Sequence, residues 1–163
     1  MLRNKVILAA AAMCLLSFIA VGQSIDDNTR ATLILDIAKY VEFDESFDQL
    51  SDLSITILDT DDDFYWSVEQ MATERKFIQG KPVRVYLVPR VNMLNDAQII
   101  YLNEADGFNI KEVLKQIEGE NTLLITEGYP FRESMINFVV VDGKPRFEAN
   151  EELMNEHGLY VDE

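Results

Sequence analysis

The chain has 163 residues, 48% of them hydrophobic and 26% charged, with one cysteine and a formal net charge of -15. That composition fits one ordinary hydrophobic core and excludes a disordered chain. So much negative charge repels phosphate backbones and anionic lipid headgroups, which argues against nucleic-acid binding and peripheral membrane attachment.

Residues 1–22 read as a secretory leader. Arg3 and Lys5 form a basic start, and Val6 to Val21 is an almost unbroken apolar run. Ala20 and Gly22 are the small residues a signal peptidase reads, which predicts cleavage between Gly22 and Gln23. The run is short for a membrane span and no charge cluster follows it, so no direct membrane insertion is expected after cleavage. Cys14 lies mid-run without the small residue that lipidation needs just before it. The exported chain, residues 23–163, is then one domain without a thiol or a disulfide, and its stability comes from its core.

Asp26-Asp27-Asn28 offers caps for a helix over Thr29–Val41, with Ile34, Ile37, Ala38 and Val41 at helical spacing and Tyr40, Val41 and Phe43 closing it. Ser54–Leu58 reads as a strand, followed by the acidic run Asp59–Asp63 and a helix over Phe64–Lys76. Strands are predicted over Val83–Val88, Ala97–Leu102 and Thr122–Thr126. Asn109 and Glu112 form a capping-box-like start for a helix that runs to Ile117, before Gly119.

Asp142-Gly143 between alternating runs, Ile136–Val141 and Pro145–Glu148, is a hairpin signal, because a type I′ turn needs positive φ at both central residues. The valines of Phe138-Val139-Val140-Val141 suggest a buried central strand. Asn150 stands as cap before a last helix, Glu151–Glu156. Helices alternating with about six strands predict a single three-layer α/β/α domain. Its sheet is mixed but mostly parallel, and it ends in the antiparallel hairpin.

No enzyme constellation emerges. An EF-hand beginning at Asp59 needs glycine sixth and glutamate twelfth, and finds Phe64 and Gln70. A looser cation or small-molecule site at Asp59–Asp63 remains the alternative, since open α/β sheets place ligands at strand ends. A phosphate-accepting aspartate is missing after the later strands, where Asn103, Glu104 and Glu127 stand. There is no G-x-S-x-G, and the one histidine, His157, sits beside Gly158 as a capping or solvated group. Three consecutive rings, Phe64, Tyr65 and Trp66, span about 200° of a helix, so at least one points outward. One or two of the rings face the sheet as core, and Tyr65 and Trp66 are the candidate partner contacts.

Four segments resemble the YfiR-like family of exported α/β proteins. They are Ile34–Phe43; Ile55–Leu58 with Asp62-Asp63-Phe64; Gly80–Val85; and Met135–Val139 with Gly143–Asn150 and Gly158-Leu159. Phe43-Asp44 replaces the family's Trp-Pro, and Ala149 replaces an isoleucine in its Arg-Phe-Glu-Ile-Asn run. By this resemblance Tyr40, Phe64, Gly143, Phe147 and Asn150 are structural motif positions. The resemblance implies a non-enzymatic periplasmic regulator without a cofactor. Its expected partner is the sensor region of an inner-membrane diguanylate cyclase, which it holds inactive, or of a histidine kinase. Family members are often dimeric, so a homodimer is a further expectation. Without cysteines, the redox switch of some members has no counterpart here.

Overall fold

The computed structural model describes residues 24–161. The expected leader and its cleavage point at Gly22 and Gln23 lie outside the described residues. In chain order the elements are α1 (Asp27–Ile37), β1 (Val41–Glu42), β2 (Leu53–Leu58), α2 (Asp63–Arg75), β3 (Phe77–Ile78), β4 (Lys81–Val88) and β5 (Ile99–Asn103). Then follow α3 (Ile110–Gln116), β6 (Leu123–Glu127), β7 (Ile136–Val141), β8 (Lys144–Ala149), α4 (Glu151–Glu156) and β9 (Tyr160–Val161).

The main sheet has the order β3-β4-β2-β5-β6-β7-β8. The five strands from β4 to β7 are parallel, and β3 and β8 add an antiparallel edge on either side. From β2 the chain steps one way to β4, then crosses back to β5 and continues the other way. Right-handed crossovers in opposite directions put α2 and α3 on opposite faces, which gives three layers. Central β2 is buried along its whole length, because both of its faces are covered. On the α2 side Phe64, Tyr101 and Phe138 form an aromatic row, with ring centroids 4.9 and 6.2 Å apart.

Caps act largely where the sequence puts them. The Asp26 carboxylate accepts the Thr29 N–H at the start of α1, and the Asn109 and Asn150 side chains accept N–H groups at the starts of α3 and α4. The hairpin corner is left-handed at both positions, with φ 51° at Asp142 and 71° at Gly143, as a type I′ turn requires.

Two expectations need correction. The first helix ends at Ile37, not at Val41, because Val41 and Glu42 are drawn into a two-stranded ladder with Val161 and Tyr160. Tyr40 therefore does not plug a helix end; it is exposed in the connecting turn. The valine run of β7 is not buried throughout. Its pairing with β6 stops at Phe138, so Val140 and Val141 project beyond the parallel sheet with only β8 beside them and stay exposed. The sheet of about six strands is present as expected, with the two-residue strand β3, too short for any alternation to reveal, as a seventh at one edge.

Candidate partner-binding groove

The alternation of β8 explains the most distinctive surface. Phe147 lies opposite Phe138 and Ala149 opposite Ile136, so these residues share the face on which α1 packs. Lys144, Arg146 and Glu148 take the other face. On α1, Ala31, Ile34 and Leu35 turn into the core, while Leu33 and Ile37 lie further round the helix. The helical layer covers β7 only to Phe138, and β8 beyond it is left largely open.

The result is a groove of about 260 Å³ between α1 and the hairpin, lined by Leu33, Ile37, Tyr40, Val41, Ile136, Phe147 and Ala149, with Asp36 at its rim. Its walls are almost entirely carbon. Tyr40 and Phe147 stand at its mouth, 59% and 51% exposed. The Asp36 carboxylate accepts from Lys39 Nζ at 2.8 Å and from Arg75 Nη1 at 2.7 Å, and these bonds hold its carboxyl below the usual range. The one acidic group at the rim is thus neutralised.

Two glutamine and asparagine side chains fix this region, and local sequence gave no sign of either. Gln79, at φ 50°, donates its amide to the carbonyls of Ala38 and Val41, both at 2.8 Å, which sets the turn that carries Tyr40. Asn121 accepts the Asp44 N–H and donates to the carbonyls of His157 and Gly158, tying three distant segments together. His157 itself is the C-cap residue of α4.

At the C-terminal ends of the parallel strands, Arg30 approaches Glu127 with Nε 2.9 Å from Oε2. The N–H points off the oxygen, so the contact is ionic and not an aligned hydrogen bond. The Arg30 guanidinium also donates to the Ile25 carbonyl at 2.8 Å and lies over the Phe64 ring at 4.9 Å. Tyr101 donates its phenol proton to the same Glu127 oxygen at 3.0 Å, and burial together with that carboxylate raises the phenol far above its ordinary value. Arg30 thereby locks α1 to β6. Nearby, burial and the Asp59 charge raise the Asp106 carboxyl.

The acidic run gathers three carboxylates at the start of α2. The carboxylates of Asp61, Asp62 and Asp63 lie within 4.8 Å of one another and are exposed. Asp61, however, accepts the Asp63 N–H, and Asp62 accepts the Trp66 indole N–H at 3.0 Å. Asp61 and Asp62 thus each commit one oxygen to turning the chain into α2.

Of the aromatic trio, Phe64 is buried on Tyr101, Tyr65 is half-buried, and Trp66 is 57% exposed. Tyr65 and Trp66 pack edge to face, 4.9 Å apart, on α2, which contributes nothing to the groove lining. Among the motif positions, the fold unites Tyr40 with Phe147 across about a hundred residues of chain. It assigns Gly143 to the hairpin corner and Asn150 to the cap of α4. No helix among the described residues is long and apolar enough to cross a membrane.

The chain is a doubly wound α/β domain with an exposed apolar groove between α1 and β8. Residues 27–163 match the family described as YfiR/HmsC-like, and the chain belongs to that family. It is a family of the periplasmic-regulator type and not one of enzymes. No curated protein matches the chain.

Proposed function

We propose that this chain is a periplasmic, non-enzymatic regulator that controls an inner-membrane signalling protein, a diguanylate cyclase or a histidine kinase, by direct contact with its sensor region. The observation that carries this reading is the groove between α1 and β8, where Tyr40 and Phe147 offer aromatic surface over an apolar floor. Aromatic anchors over desolvated pockets are the usual centres of protein–protein binding energy. The groove interrupts a surface that is otherwise strongly acidic, with 29 Asp and Glu against 14 Lys and Arg. Apolar side chains of a partner would fill it, and the neutralised Asp36 leaves no buried charge to oppose them. Family membership supports a regulatory role, and the leader read in residues 1–22 supports export.

The test is co-purification from detergent-solubilised inner membranes with tagged wild-type protein and with Phe147→Asp and Tyr40→Ala. Phe147→Asp puts a charge at the groove mouth, and both positions are exposed enough to leave the fold intact. Recovery of a cyclase or kinase with the wild type, at least tenfold reduced for Phe147→Asp, is the expected result. Equal recovery with both variants, or recovery of neither enzyme class, would overturn the reading.

A further inference from the structure

The face of the sheet opposite α2 carries a second cavity, and the strand register shows what lines it. Tyr101 packs on Phe64 of α2, so Ile100 and Leu102 look the other way. Thr56 pairs with Ile100 on one side and with Tyr86 on the other, which sets these three residues in one row on that face. Leu50, Tyr86 and Met93, all exposed, stand around a cavity of about 480 Å³ that Thr56 and Gln98 also line. That volume lies within the range of about 300–1,000 Å³ usual for small-molecule sites. A smaller cavity of about 210 Å³ adjoins it across Gln98, and the two form one elongated trough.

The floor of this trough is polar, uncharged and incompletely satisfied. Gln98 Oε1 accepts the Ser54 N–H at 2.9 Å and the Ser54 hydroxyl at 2.8 Å. A main-chain N–H only donates, so the Gln98 oxygen must face Ser54. The amide nitrogen then carries two N–H donors with no protein acceptor among the described residues. Thr56 is only 3% exposed, and its hydroxyl likewise has no protein partner among the described residues. Buried hydroxyls are normally hydrogen-bonded, so this one is left for a group that enters the cavity.

We infer that the trough binds a neutral saccharide. A sugar ring carries hydroxyls around its edge and C–H groups on its faces. The Thr56 hydroxyl and the Gln98 amide meet the edge, while the Tyr86 ring, Met93 and Leu50 offer apolar surface to a face. The adjoining lobe suits the second ring of a linear chain. Charge narrows the class further. Asp52 and Asp96 line the larger lobe, Glu120 lines the smaller one, and no Lys or Arg lines either. A phosphorylated sugar or a uronic acid would meet repulsion there without a counter-charge. The carboxylates do not make a cation cage either, since Asp52 is paired with Arg84 at 3.1 Å and Asp96 is exposed. The trough lies on the other face of the sheet from the groove between α1 and β8, and it stands whether or not that groove binds the partner proposed above.

Saturation-transfer NMR titrations with glucose, N-acetylglucosamine, cellobiose and chitobiose, run beside glucuronate and spermidine, test it. At least one neutral sugar should receive saturation and shift the Gln98 side-chain amide resonances, with glucuronate and spermidine inert. Thr56→Val keeps the side-chain shape and removes only the hydroxyl, and it should weaken that sugar about fivefold. Tyr86→Ala, at an exposed position where folding is not at stake, should weaken it by at least as much. Saturation of none of the four sugars would overturn the inference. So would sugar binding indifferent to both variants, or glucuronate or spermidine binding as well as the best neutral sugar.

Discussion

Replacing Arg30 by methionine removes a cation that three elements share while keeping most of the side-chain volume. The Arg30 and Glu127 side chains are only 12% and 15% exposed. Without the guanidinium, the Glu127 carboxylate keeps the Tyr101 phenol at 3.0 Å but loses its counter-charge, and the Ile25 carbonyl loses its donor. Breaking a buried pair from one side costs about 3 to 5 kcal/mol. Some water access remains, which puts the expected loss at the lower end, about 3 kcal/mol. The Arg84–Asp52 pair, 3.1 Å apart, is the internal control because Arg84 is 61% exposed. Losing such a surface pair costs under about 1 kcal/mol. Urea unfolding at pH 7 of the wild type, Arg30→Met and Arg84→Met reads both values directly. Equal losses for the two variants would refute the claim that Arg30 is the lock between α1 and β6.

Other perturbations have expected outcomes of their own. Gly143→Ala forces a Cβ onto a residue at φ 71° and should cost about 1 kcal/mol in chemical denaturation, with the α/β circular dichroism spectrum unchanged. Asn150→Ala removes the oxygen that accepts the Leu153 N–H at 3.1 Å, with an expected loss of about 1 kcal/mol and earlier hydrogen exchange in α4. Hydrogen bonds from Lys39 and then Arg75 lower the folded-state pKa of Asp36, and bonds from Thr29 and Ser46 lower those of Asp26 and Asp44. A carboxyl whose folded pKa lies below its unfolded value stabilises above the unfolded value and loses that contribution as pH falls through the folded one. Thermal melts should therefore be insensitive to these groups from pH 8 to about 5 and fall below about pH 4, less steeply for Asp36→Asn.

Much of this architecture was readable because local chemistry and tertiary demand agree. Asp142-Gly143 permits few backbones other than the tight turn, and Asn109 and Asn150 cap the helices they precede. The order of helices and strands likewise led to three layers. The expectations that failed were non-local. Nothing within Tyr40-Val41-Glu42 announces a strand whose partner, Tyr160-Val161, lies at the far end of the chain. The valines of β7 have the composition of a central strand, yet burial depends on how far β6 extends, and it stops at Glu127. The groove was half legible. Tyr40 and Phe147 were motif positions by resemblance, but their meeting depends on β8 extending beyond the helical layer. Gln79 and Asn121 gave no signal, because side-chain amides that bridge distant carbonyls follow no periodicity. At least one ring of Phe64-Tyr65-Trp66 was expected to point outward; Trp66 does, but on α2, away from the groove.

The central claim is that the groove touches a membrane signalling protein in the living cell. Photo-crosslinking from benzoyl-phenylalanine placed at Tyr40, inside the groove mouth, tests that most directly. The expected product is an adduct with an inner-membrane protein carrying a cyclase or kinase domain, lost when Phe147→Asp is added. Efficient crosslinking at Trp66 to such a protein, with none at position 40, would contradict the account.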